Sequence, residues 1–76
     1  MKLSARNILP GSIVEVKKGQ TTAHVRIAIG GAVITASITN EAVDELKLAQ
    51  GQSAYAVIKA SDVMIAVEVL NYPDGY

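Results

Sequence analysis

The chain has 76 residues, seven basic and seven acidic side chains that cancel to a formal charge of +0, and 50% hydrophobic content with no Phe, Trp or Cys. That is one small domain, with no disulfide framework, no thiolate metal site and no thiol nucleophile. A neutral chain lacks the electrostatic footprint of a general nucleic-acid binder, and with His24 as the only histidine neither a zinc site nor a Ser-His-Asp triad has its parts.

No apolar run approaches the roughly 20 residues that cross a bilayer. The opening Met1-Lys2-Leu3 runs directly into polar Ser4-Ala5-Arg6-Asn7, without a signal-peptide pattern. These features predict a soluble cytoplasmic protein with no membrane partner. A domain this short buries only about 60% of the surface of its unfolded chain. Small domains gain the missing stability from disulfides, metals or association. Without cysteine and with few metal ligands, association is the support left, so a homo-oligomer is expected.

The elements follow in chain order. Residues 13–16 suit a first strand, and Lys17-Lys18-Gly19-Gln20 reads as a turn. Residues 21–29 alternate, with Ala23, Val25, Ile27 and Ile29 on one face and Thr22, His24, Arg26 and Ala28 on the other. Gly30-Gly31 is a hairpin signal. The third strand covers residues 32–39, with Ile34, Ala36 and Ile38 inward and Thr35, Ser37 and Thr39 outward. The period then changes. Asn40 is a candidate helix cap, Glu41 and Asp44 suit the positive end of the helix, and Val43 with Leu46 forms an apolar stripe that Gly51 closes. A fourth strand is expected over residues 53–59, a tight corner at 60–62 and a fifth strand over 64–70. Residues 71–76 form a turn-rich tail.

Three strands, a short helix and two more strands predict an all-β domain over residues 1–70, a five-stranded Greek-key barrel of the oligonucleotide/oligosaccharide-binding (OB) kind with the tail appended. Closing the barrel would also remove exposed strand edges. Fold alone assigns no function.

Three segments concentrate polar groups: Ser4-Ala5-Arg6-Asn7, Ile38-Thr39-Asn40-Glu41 and Val57-Ile58-Lys59-Ala60-Ser61-Asp62. Arg6 carries a fixed fork of N–H donors and Lys59 a compact positive charge, while Ser4, Thr39 and Ser61 are hydroxyl donors. An oxyanion held without metal needs such a set. Each residue also has a plainer role open to it. Arg6 and Lys59 read equally as solvated or edge-strand charges, Thr39 as a helix cap and Ser61 as a turn residue. His24 reads as a solvent-facing strand position and Tyr55 as a packing residue.

Leu3-Ser4-Ala5-Arg6-Asn7 with Gly11, Lys18-Gly19 followed by Thr22-Ala23, Ile38-Thr39, Leu46-Lys47-Leu48 with Gly51, and Ala56-Val57-Ile58-Lys59-Ala60-Ser61 together resemble the molbindin (Mop) family of small molybdate-binding proteins. The same module recurs as a transport-associated OB (TOBE) domain in molybdate regulators and transporter ATPases. The resemblance implies a homo-hexamer, a trimer of dimers, that binds molybdate or tungstate between subunits for storage and homeostasis. It places one kind of oxyanion site at Ser4, Arg6, Thr39, Lys59 and Ser61, and makes Thr22 a candidate for a second kind near the threefold axis. It implies no enzyme activity, no cofactor beyond the oxyanion ligand and no nucleic-acid partner. Two other readings stand beside it. One is an oxyanion-sensing or assembly module acting on a partner protein. The other is a single-stranded nucleic-acid binder, which lacks the aromatic platforms and basic groove that such binding requires.

Overall fold

The computed structural model describes residues 2–68. Its elements are β1 (Asn7–Lys18), β2 (Thr22–Ile29), β3 (Ala32–Thr39), α1 (Asn40–Leu46) and β4 (Ser53–Ile58), followed by a 3-10 turn over Ala60–Asp62. The four strands form one antiparallel sheet in the order β3-β2-β1-β4.

At 12 residues, β1 is far longer than the expected 13–16, and the reason lies in its partners. Its first half, from Asn7 to Ser12, pairs with β4, and its second half, from Ser12 to Lys18, pairs with β2. Pro10 and Gly11 interrupt any strand pattern in the sequence. Residues before Ser12 pair on one side only, so proline sits where an edge strand tolerates it. A bulge between Ile13 and Glu15 leaves Val14 without a partner on β2, and such an extra residue bends a strand and increases its twist. The bend brings β1 very close to β2. A Cβ built on Gly11 would lie 2.2 Å from the Ala28 carbonyl oxygen and 2.9 Å from Cγ2 of Ile29.

The β2–β3 hairpin turns at Gly30-Gly31, with Ile29 opposite Ala32 and Gly30 at φ 74°, the left-handed conformation that a type II′ turn takes at its first position. The alternation expected in β2 and β3 holds. Ala23, Val25 and Ile27 are buried, Ile34, Ala36 and Ile38 are half-buried, and Thr35, Ser37 and Thr39 are exposed.

α1 is capped by Thr39, not Asn40: the Thr39 Oγ1 accepts from the Ala42 N–H at 3.0 Å. Asn40 is instead the first helical residue. Its Nδ2 donates to the Gly19 carbonyl at 3.0 Å and its backbone N–H to the Thr21 carbonyl at 2.9 Å, tying the helix start to the β1–β2 turn. Val43 is the one buried residue of α1. It joins Ile13, Ala23, Val25, Ile27 and Ala56 in the core, where full burial of such a side chain contributes about 1.5–3 kcal/mol.

Among the described residues the expected five-stranded barrel is not closed. Residues 63–68 belong to no strand, and residues 69–70 of the expected fifth strand, with the tail at 71–76, lie outside the described residues. Among the described residues β3 and β4 are the edges of the sheet. Between them runs an apolar trough of about 650 Å3, floored by Ile13, Val25 and Ile27 and flanked by Ala36 and Ile38 of β3 and Ala54 of β4.

This packing can be tested at two positions. Gly11→Ala drives a methyl group into the β2 backbone and should cost about 1–3 kcal/mol, read as a lowered thermal midpoint; an unchanged midpoint would show that β1 can move away from β2. Thr39→Ala removes the α1 cap and should cost about 0.5–2 kcal/mol, whereas Thr39→Ser, which keeps the oxygen, should restore most of the loss in the same melt.

Candidate functional site

The β1–β4 ladder brings two of the three donor segments together. Asn7 pairs with Ile58, so Arg6 and Lys59 lie one step beyond the same rung, at the same end of the sheet. Asn7 fastens this end, its Nδ2 donating to the Ile58 carbonyl at 3.1 Å. Ser4 precedes Arg6 by two residues, and Ser61 lies in the 3-10 turn that follows Lys59, where the Asp62 N–H donates to the Lys59 carbonyl at 2.9 Å. Ser4, Arg6, Lys59 and Ser61 are all exposed. Among the described residues the ion pairs are Lys18–Asp44 and Arg26–Glu15, so Arg6 and Lys59 form two unpaired positive charges at one corner.

Thr39 is elsewhere. It pairs directly with Thr22, beside the β1–β2 turn and therefore at the far end of β1. Twelve residues of strand correspond to about 35 Å of contour between the two ends. Within one chain the five expected donors thus divide into two groups, Ser4, Arg6, Lys59 and Ser61 at one end and Thr39 with Thr22 at the other. Thr39 remains able to donate. Its cap uses the hydroxyl oxygen as an acceptor, which leaves the O–H free for an anion.

The Thr22 end has a concavity of about 300 Å3 lined by Lys17, Lys18, Gly19, Thr22 and His24. Of these, only Thr22 was named from the sequence as a candidate oxyanion donor. Lys17 and His24 are cross-strand partners, a pairing that the alternation of β2 alone does not show because it depends on the register after the Val14 bulge. Lys18 is engaged by Asp44 across the turn. Oδ1 of Asn40, beside this concavity, is buried without a hydrogen-bond partner among the described residues. Such an acceptor costs stability unless a donor reaches it.

Among the described residues no three His, Asp or Glu side chains cluster. No helix among them is long and apolar enough to cross a membrane. Tyr55, on β4, borders the apolar trough rather than a basic groove.

Comparison with known proteins agrees with both the fold and the motifs. The TOBE domain profile matches residues 3–65. A probable molybdenum-pterin-binding protein of Haemophilus influenzae is 48% identical over 69 residues, covering 90% of this chain and all of that protein. Among solved structures, a molybdate-binding protein from Sporomusa ovata superposes with a TM-score of 0.84 at 31% identity, covering 88% of this chain and all of the other. MopII from Clostridium pasteurianum superposes with a TM-score of 0.80 at 45% identity, covering 87% of this chain and all of the other. With this profile spanning most of its length and full-length relatives at nearly half identity, the chain belongs to the TOBE domain family, among the small Mop-type proteins.

Proposed function

We propose that this protein binds molybdate or tungstate at sites formed between copies of itself, in a homo-hexamer built as a trimer of dimers, and so stores and buffers the oxyanion in the cytoplasm. The observation that carries this reading is the division of the donors. Arg6 and Lys59, with Ser4 and Ser61, make a positively charged half-site at one end of β1, and Thr39 makes a hydroxyl half-site at the other. When the corner of one copy meets the Thr39 end of another, the full set surrounds one tetrahedral dianion. The two cations offset its charge and the hydroxyls saturate its remaining acceptor positions.

The same arrangement accounts for a neutral chain holding a dianion, since the charge has only to be local. Discrimination against sulfate rests on size. A donor shell spaced for the larger anion leaves the smaller one with long hydrogen bonds. Thr22, in the concavity with Lys17 and His24, is the donor we assign to a second kind of site. No residue acts as nucleophile or base. The protein's chemistry is reversible capture, with the oxyanion as ligand and no further cofactor.

Arg6→Ala and Lys59→Ala should each weaken molybdate binding by about tenfold to a hundredfold, the loss expected for a hydrogen bond to a charged group, as read by isothermal titration. Unchanged affinity in both variants would remove the proposed site. Native mass spectrometry provides the second check: a hexamer should gain several molybdate masses and no sulfate, and a monomer that ignores molybdate would overturn the reading. Bound molybdate should also raise the thermal midpoint, since ligand at a hundredfold excess over Kd stabilises by about 2.7 kcal/mol.

A further inference from the structure

The concavity at the Thr22 end differs in charge from the opposite corner. At the corner, Arg6 and Lys59 are two permanent positive charges, the number that balances a dianion. The concavity is lined by Lys17, Lys18, Gly19, Thr22 and His24. Lys18 is already neutralised by Asp44 of α1. Lys17 is therefore the one permanent cation of the lining that is unpaired among the described residues. The concavity is one charge short of a dianion.

His24 stands where the missing charge is needed. Register places it opposite Lys17 of β1 and Ser37 of β3, and the period of two along β2 places it on the face of Thr22 and Arg26. Lys17, His24 and Ser37 are all exposed, so an anion can reach the whole rung. The neighbouring charges are otherwise engaged or solvated. Arg26 pairs across the ladder with Glu15, at 3.9 Å. On α1, Asp44 holds Lys18, and Glu41 and Glu45 are exposed. Among the described residues no carboxylate pairs with His24.

A protonated imidazole on this rung has no internal counter-charge and faces the Lys17 ammonium, a like charge directly opposite. A neutral imidazole donates from only one ring nitrogen. An anion bridging the rung changes that balance, because it attracts both groups at once. Histidine is also the side chain whose charge changes between about pH 5 and 8.

We propose that His24 makes this second site proton-linked: a tetrahedral dianion captured between Lys17, Thr22 and His24 brings a proton onto the His24 imidazole. Lys17 supplies one positive charge, the proton supplies the other, and the Thr22 O–H adds a neutral hydrogen bond. No bond within the anion breaks, and the proton comes from solvent. Since the protonated form binds, affinity is greatest at the acid end of the histidine range and falls as pH rises through it. The corner keeps its affinity over the same range, because Arg and Lys stay charged there. A falling pH thus adds capacity at one kind of site only. This inference rests on the reading of Thr22 as a donor of a second oxyanion site and deepens it.

His24 is the only histidine, so its imidazole signals report this site directly in the full-length protein. They are followed by NMR from about pH 6 to pH 8, once with sodium molybdate and once with sodium chloride at the same ionic strength. The expected result is a titration midpoint that moves upward with molybdate alone. A midpoint that stays in place, or that chloride moves equally, overturns the proposal. Isothermal titration of molybdate in two buffers of different ionisation enthalpy gives the second readout. Binding should take up protons in the native protein and be about tenfold tighter at pH 6 than at pH 8 for this class of site, the gain of a charged over a neutral hydrogen bond. His24→Gln, which retains a neutral N–H donor, should lose both the uptake and the pH dependence; if either persists, His24 is not the linked group. Molybdate that gives no heat at any pH overturns the binding reading together with this one. Binding heat beside an unmoved His24 signal overturns this inference alone.

Discussion

The division of β1 between two partners is the constraint on which the rest of the molecule depends. One strand of twelve residues serves β4 with its first half and β2 with its second, and it can do so only by bending where the partners change. Gly11 lets its backbone lie against the Ala28 carbonyl, and the bulge at Val14 absorbs the extra residue. That bend curls the sheet around Ile13, the most deeply buried large side chain. It also sets the two ends of β1 apart, and each end carries a distinct chemistry.

At the Asn7 end, the ladder to β4 gathers two cations, unpaired among the described residues, and two hydroxyls. At the Lys18 end, the ladder to β2 and β3 gathers Thr22, Thr39 and the helix start, with Lys18 already neutralised by Asp44. A strand is stiff along its length, so no side-chain motion within one copy joins the two groups. The polar residues thus form two separate groups within one chain. The apolar residues tell the same story. Among the described residues six buried side chains make up the core, and large apolar groups such as Tyr55 and Leu46 remain exposed around the trough.

The corner at Lys59–Asp62 links these two themes. It ends β4 and carries two of the proposed oxyanion donors. Its geometry is local, held by two backbone hydrogen bonds.

What the sequence determined by itself was local or periodic. The alternation of β2 and β3 was legible because one face is buried, and a period of two follows from that. The Gly30-Gly31 hairpin, the helix at Val43 and the corner at 60–62 were legible from turn and cap chemistry, although Thr39 and Asn40 exchange roles because both can cap and only the backbone dihedrals choose between them. The family was legible in short motifs. Tertiary structure decided the rest. Pro10 and Gly11 hide the first half of β1, since what makes them tolerable there is a missing neighbour on one side, a fact about the sheet and not about the residues. Residues 64–68 have strand propensity, but a strand needs an edge to pair with, and the chain's own turn directs them away from the edges it offers. The donor residues could be named from their chemistry. That Arg6 joins Lys59 while Thr39 stands at the opposite end of β1 follows from which strands pair with β1 and in what register, which no local pattern encodes.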